Sequence, residues 1–133
     1  MKFLVVALAL FVAVSAVTDE QKERVRQHTQ TCLQESGATP EELKKFKVGE
    51  STENVSENVK CFMKCFFRQS GFFNDADEFQ TEVAVQKLSL GGENVEEVTA
   101  AVEKCKVVAG ANACERAFNI YNCYRDTRHV SIV

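Results

Sequence analysis

The chain has no tryptophan, a single proline (Pro40), two histidines and six glycines in 133 residues. It also lacks a second long apolar run. Phe3 to Val14 is unbroken by polar residues, and nothing of comparable length follows. Twelve residues fall short of the ~20 that a helix needs to cross a bilayer, so a membrane anchor is not the expectation. Lys2 ahead of that run and the small residues Val14-Ser15-Ala16 behind it have the layout of a secretory signal peptide, cut after Ala16. Residues 1–16 are therefore read as signal peptide and 17–133 as one secreted, extracellular domain.

An excess of basic residues is missing too. Loss of residues 1–16 removes Lys2 and leaves 15 of the 16 basic residues against 19 acidic ones, with the two signs interspersed. That pattern suits a solvated helical surface and excludes a nucleic-acid partner. Catalytic patterns are equally scarce: there is no serine elbow, phosphate loop, metal pair or paired-carboxylate motif. His28 falls on a mostly polar stretch and is expected in solvent, and His129 lies in the C-terminal tail. The chain is therefore read as not an enzyme, with no cofactor and no metal.

Strand alternation is absent, and helix signals recur. Thr18 with Gln21 makes a capping box for a helix running past Cys32 and ending before Gly37. Thr39-Pro40-Glu41-Glu42 starts a second, short helix, interrupted by Val48-Gly49-Glu50. A third is expected from Asn54 to Ser70, with Val55, Val59, Phe62, Met63, Phe66 and Phe67 at spacings of three and four, and Gly71 ending it. Asn74-Asp75-Ala76-Asp77 is read as the cap of a fourth helix to about Leu88, closed by Gly91-Gly92. Asn94 with Glu97 opens a fifth, with Val95, Val98, Val102, Cys105 and Val108 on its apolar face. Asn112 with Glu115 opens a sixth to about Tyr124. The expected fold is all-α, a bundle of about six helices around an apolar interior.

What the chain does have is cysteine. Cys32, Cys61, Cys65, Cys105, Cys114 and Cys123 form an even set, which in a secreted chain reads as three disulfides rather than a zinc site. Cys61 and Cys65 are stacked one turn apart and suit two different partners. Cys114 and Cys123, nine residues apart on the sixth helix, face opposite ways and cannot bridge each other without breaking it. Several of the fifteen connectivities fall on these grounds, and more than one remains.

The gaps between the cysteines are 28, 3, 39, 8 and 8 residues. This spacing resembles that of the insect odorant-binding proteins, in the pheromone-binding and general-odorant-binding group, whose diagnostic gaps are the three-residue second and the eight-residue last. The segment Gly71-Phe72-Phe73-Asn74 with Phe79 shares the likeness. The resemblance implies the pairing Cys32–Cys65, Cys61–Cys114 and Cys105–Cys123. It also implies a carrier that holds odorants, pheromones or similar hydrophobic molecules in an internal pocket, delivers them to a membrane receptor, and exists as a monomer or weak homodimer. The alternative is a non-olfactory carrier or scavenger in haemolymph, saliva or reproductive fluid.

Of ten phenylalanines, six lie between Phe62 and Phe79, which marks the apolar interior. Candidate pocket residues are Phe66, Phe67, Phe72, Phe73 and Phe79, with Val83, Leu88, Val98 and Val102 from the fourth and fifth helices. The sixth helix offers the stripe Ala117, Tyr121 and Tyr124. Relatives with tails of similar length fold them over the pocket as a lid, and Ile132 is the candidate lid residue here. Asn54-Val55-Ser56 is a glycosylation sequon.

Overall fold

The computed structural model describes the backbone of residues 2–47, 55–90 and 92–128, and the side chains of that set from residue 19 onward except 46 and 47. Six α-helices follow one another: α1 Lys2–Ser36, α2 Pro40–Lys47, α3 Glu57–Ser70, α4 Thr81–Leu88, α5 Val95–Cys105 and α6 Ala113–Arg128. Among the described residues there is no named strand, and no helix is long and apolar enough to cross a membrane. Gly91, Asn54, His129 and Ile132 lie outside the described residues, as do Val48-Gly49-Glu50 and the rest of the tail.

Local chemistry fixes most helix ends. Thr39 and Glu42 form a complete capping box, with the Glu42 amide donating to Thr39 Oγ1 at 3.2 Å and the Thr39 amide to Glu42 Oε1 at 3.1 Å. The same carboxylate accepts from Ser56 Oγ at 2.6 Å, and Ser56 is the N-cap of α3. One glutamate thus ties the starts of α2 and α3 together. At the other end of α3, Gly71 adopts φ 81°, and the Phe72 amide reaches back to Phe67 O at 2.8 Å. A β-carbon at Gly110 would collide with the backbone of Glu115 and Arg116, so only glycine fits this close approach ahead of α6.

Five boundaries differ from the sequence expectation. α1 passes through Thr18 without a break, because the preceding segment holds no proline or glycine to stop it. α3 begins at Glu57, capped by Ser56, rather than at Asn54. The Asn74–Asp77 stretch caps no helix. Asn74 Oδ1 instead accepts from the Ala76 and Glu78 amides, both at 2.9 Å, closing a tight loop with Asp77 at φ 61°. α4 therefore starts only at Thr81 and is eight residues long. Val108 falls beyond the end of α5 in a turn onto Cys105, while Val95, expected on the apolar face, is 56 % exposed. Finally, α6 continues to Arg128, a full turn past Tyr124.

α3 is the centre of the bundle, packed between α1 and α6, while α5 bridges α4 and α6. Its buried face is Val59, Phe62, Met63, Phe66 and Phe67, the three-and-four spacing read from the sequence. The disulfides join it on both sides. Cys65 bonds to Cys32 of α1 and Cys61 to Cys114 of α6, with Cα separations of 5.5 and 4.4 Å, and Cys105 of α5 bonds to Cys123 of α6 at 5.6 Å. His28 is half-buried, its ring edge-on to Phe66 at 6.0 Å, and so does not stand free in solvent as expected. Burial, then the nearby Lys87 and Arg24, hold its pKa below the ordinary 6.5.

Two measurements follow from this packing. In the chain-entropy model the loop closed by Cys61–Cys114 is worth about 4 kcal/mol and that closed by Cys105–Cys123 about 3 kcal/mol. Urea denaturation should therefore show the double substitution Cys61→Ser/Cys114→Ser to be the more damaging of the two, and the opposite order would contradict the loop-length account. For His28 the unfolded chain takes up its proton first as pH falls through about 6.5. The stability due to the neutral ring is thus present above that value and lost progressively as pH falls towards the lower folded pKa. His28→Gln should flatten the loss of stability between about pH 7 and about pH 5. An unchanged slope would assign the loss to other groups.

Candidate ligand-binding site

The loop after α3 folds the phenylalanines onto one another. Phe73 and Phe79 pair across an isolated antiparallel bridge, and the Gln80 amide donates to Phe72 O at 2.7 Å. Asp77 anchors the loop to α3 through Arg68 Nε at 2.7 Å, and its carbonyl accepts from Arg116 Nη1 of α6 at 2.8 Å. The result is an aromatic cluster with Phe67 at its hub. Phe72, Phe73 and Phe79 stand edge-on to that ring, with centroids at 5.5, 5.2 and 6.5 Å.

Beside this cluster lies an apolar cavity. Phe67, Phe72 and Phe79 form one wall, Leu88 of α4 and Val102 of α5 a second, and Tyr121 and Tyr124 of α6 a third. Seven of the thirteen candidate residues thus meet around one space. Ala84, Ile120 and the disulfide-bonded Cys105 complete its lining and were not among the candidates. A phase argument could have found two of them: Ala84 stands one turn before Leu88, and Ile120 one turn before Tyr124.

The other candidates lie elsewhere in the core. Phe66 stacks on Phe62 at 6.2 Å and turns its ring towards His28 of α1. Phe73 is buried on the far side of Phe67, with the Arg116 guanidinium 5.1 Å above its ring. Val98 and Ala117 are fully buried and Val83 packs at the core's edge, none of them on the cavity wall. Phe66 and Val83 each miss the wall by one residue, about 100° about the helix axis, Val98 and Ala117 lie one turn away along it, and Phe73 sits in the loop after α3. Ile132 lies outside the described residues.

The free space at the centre is about 20 Å³, room for a single water. That is far below the ~300 Å³ of a small-molecule site, so the side chains here are closed on one another. A ligand of the expected size has to displace part of the wall. α4 is the part least tied down, being eight residues long and packed chiefly on α5.

A larger concavity of about 560 Å³ runs along the Cys32–Cys65 and Cys61–Cys114 bridges, edged by Glu35, Lys64, Arg68 and Asp75. It is open and polar, and its Lys64 and Arg68 are both paired with Asp77. An apolar molecule would leave little water behind by entering it, and the smaller cavity is the better candidate despite its volume.

The surface that the cavity presents is wholly apolar. Tyr124, on the third wall, is 5 % exposed. Burial holds the phenol's pKa above its ordinary 10, so the hydroxyl keeps its proton. Arg128 is gripped by Glu97 at 2.7 Å and Glu93 at 2.6 Å, which fastens the end of α6 to the start of α5. Glu97, three residues past the N-cap Asn94, gives its backbone amide to that cap and its carboxylate to Arg128.

Known proteins share both this sequence and this fold. General odorant-binding protein 56a of Drosophila melanogaster is 38 % identical over 128 residues, spanning 92 % of this chain and 89 % of that protein. Odorant-binding protein 10 of Aedes aegypti is 29 % identical over 95 % of this chain and 89 % of its own. Among solved structures, the fatty acid binding protein OBP56a from the oral disk of the blowfly Phormia regina superposes with a TM-score of 0.67 at 33 % identity, covering 83 % of this chain and 93 % of that one. The sequence model of the PBP/GOBP family matches residues 14–127. A helical bundle with three disulfides, an aromatic cavity and this match over most of its length together place the chain in the PBP/GOBP family of odorant-binding proteins.

Proposed function

We propose that this chain is a secreted carrier, taking a small hydrophobic molecule into the cavity between α3, α4, α5 and α6 and ferrying it through extracellular fluid. The observation that carries the reading is the chemistry of the wall. Every lining side chain is aromatic or aliphatic, apart from a bridged cysteine and two tyrosine hydroxyls. A molecule enclosed there exchanges water for hydrocarbon contact at roughly 25 cal/mol for each Å² of apolar surface. The family is one of odorant-binding carriers, and no reaction is proposed for this member. Cleavage after Ala16, export, delivery to a membrane receptor and a monomeric or weakly dimeric state belong to the same proposal.

A second reading keeps the carrier and drops olfaction. It draws support from the blowfly relative, whose source is the oral disk and whose described ligands are fatty acids. An alkyl chain suits this cavity as a ligand body whichever fluid the protein works in. Expression in sensory organs as against mouthparts or other tissues separates the two readings.

The carrier proposal is tested by titrating the protein with N-phenyl-1-naphthylamine and displacing it with long-chain alcohols. Saturable fluorescence and competitive displacement are the expected result. Phe72→Ala, which removes an aromatic wall, should lower probe affinity about tenfold, in line with the ~1.5–3 kcal/mol that burial of such a side chain is worth. Unchanged affinity in a variant that keeps its helical circular dichroism would move the site elsewhere.

A further inference from the structure

A ligand enters this cavity only if a wall moves, because the free space is about 20 Å³. Two neighbouring walls are restrained very differently. The loop from Phe72 to Gln80 is bound at both ends and in the middle. The Phe72 and Phe73 amides donate to Phe67 O at 2.8 and 3.1 Å, and the Gln80 amide donates to Phe72 O at 2.7 Å. Between these ends the Asp77 carboxylate takes Arg68 Nε at 2.7 Å and Lys64 Nζ at 3.9 Å, and its carbonyl accepts from Arg116 Nη1 at 2.8 Å. The Arg116 guanidinium also covers the Phe73 ring at 5.1 Å. Lys64 and Arg68 belong to α3 and Arg116 to α6, two helices joined by a disulfide.

α4 is held otherwise. Its N-cap, Gln80, shares the anchorage of the loop, so one end of the helix is fixed. From there it runs eight residues without a disulfide, and its last residue, Leu88, stands on the cavity wall. The polar ties at that end come from two long side chains: Lys87 Nζ donates to Ser70 O, and Gln21 Nε2 reaches Lys87 O at 3.5 Å. Beyond the helix, a β-carbon at Gly92 would meet nothing within 4 Å, so the chain there is not packed against its surroundings.

We infer that the cavity opens by a swing of α4 about Gln80, against an aromatic wall that Asp77 holds in place, and that the ligand takes the space filled by Leu88. The inference rests on the carrier reading above and adds which side chains bind by standing still and which by giving way. A side chain on the fixed wall supplies contact to the ligand, so truncating it weakens binding. One on the yielding wall is displaced, and the packing lost in displacing it opposes binding. Truncating that side chain removes the opposition in advance, since an apolar cavity stays dry and accepts an apolar guest. Were the loop the part that opens, the two effects would exchange places.

Titration of the full chain with N-phenyl-1-naphthylamine reads the sign. Leu88→Ala should bind the probe several-fold more tightly than the unsubstituted chain, whereas Phe72→Ala binds it about tenfold more weakly. Asp77, at φ 61°, is replaced by Asn, which tolerates that backbone and loses the ion pairs. Asp77→Asn should weaken the probe about threefold, within the range of a partly exposed pair. Amide exchange of the unsubstituted chain, followed by NMR, needs no variant to fold. The Ala84 and Leu88 amides of α4 should exchange faster than those of Phe72, Phe73 and Gln80. Leu88→Ala binding no more tightly than the unsubstituted chain, affinity indifferent to Asp77→Asn, or a loop that exchanges as fast as α4 overturns the inference while leaving the carrier intact. Failure of the probe to bind the unsubstituted chain overturns the carrier reading, and this inference with it.

Discussion

Two consecutive turns of α3 are covalently fastened to different neighbours, Cys65 to α1 and Cys61 to α6. The positions of the remaining parts follow from that double attachment. Both cysteines share the outer face of α3, so the opposite face points inwards, and it carries Phe62, Met63, Phe66 and Phe67. The third bridge then fixes α5 against α6 through Cys105 and Cys123, and Cys105 itself becomes part of the cavity lining. α4 has no disulfide of its own. It is held by packing on α5 and by contacts such as Lys87 on Ser70. Of the helices that line the cavity, the one without a disulfide thus supplies Ala84 and Leu88 to the wall.

This distribution of restraint suits a cavity whose walls nearly meet. Opening it costs packing energy, since walls parted without an occupant lose their dispersion contacts. Cross-links that restrict the unfolded chain offset such losses without adding anything to the cavity. Covalent bonds away from the wall and weak packing at the wall are compatible for that reason. A uniformly rigid bundle would resist entry, and one without bridges would have too small a core to tolerate it.

The charges show a comparable division. Most ion pairs here are exposed, such as Arg26 with Glu23 and Lys106 with Glu103, and pairs of that kind contribute little. Arg128 differs because its side chain is largely enclosed. It fastens the end of α6 to Glu97 of α5 and to Glu93 just ahead of that helix. Asp77 does similar work on the opposite side, holding the phenylalanine loop to α3 while its carbonyl receives Arg116.

Elements set by near neighbours in the chain were legible in the sequence. The Thr39–Glu42 box, the Asn94 and Asn112 caps and the Gly71 terminator all act within a few residues, and each forms where its pattern predicts. The cysteine spacing likewise pointed to the family. Asn74 shows the limit of this reasoning, because the same side chain can cap a helix or close an Asx turn. The choice fell to Asp77, whose contacts with Arg68 and Arg116 lie on other helices. The site was legible as a region and not as a surface. Phe67, Phe72 and Tyr124 reach the cavity while Phe66, Phe73 and Ala117 do not, although α3, the loop after it and α6 carry them close together. A rotation of one residue parts Phe66 from Phe67 and a shift of one turn parts Ala117 from Tyr121, and helical periodicity is too broad to resolve either. The local caps at Thr39, Asn94 and Asn112, the Gly71 terminator and the even, family-like set of six cysteines are properties of the sequence by itself. Which face meets the cavity, how far the cavity closes, and that Arg128 sits between two carboxylates beside Tyr124 were decided only by tertiary packing, because each depends on side chains from helices distant in the chain coming to one place.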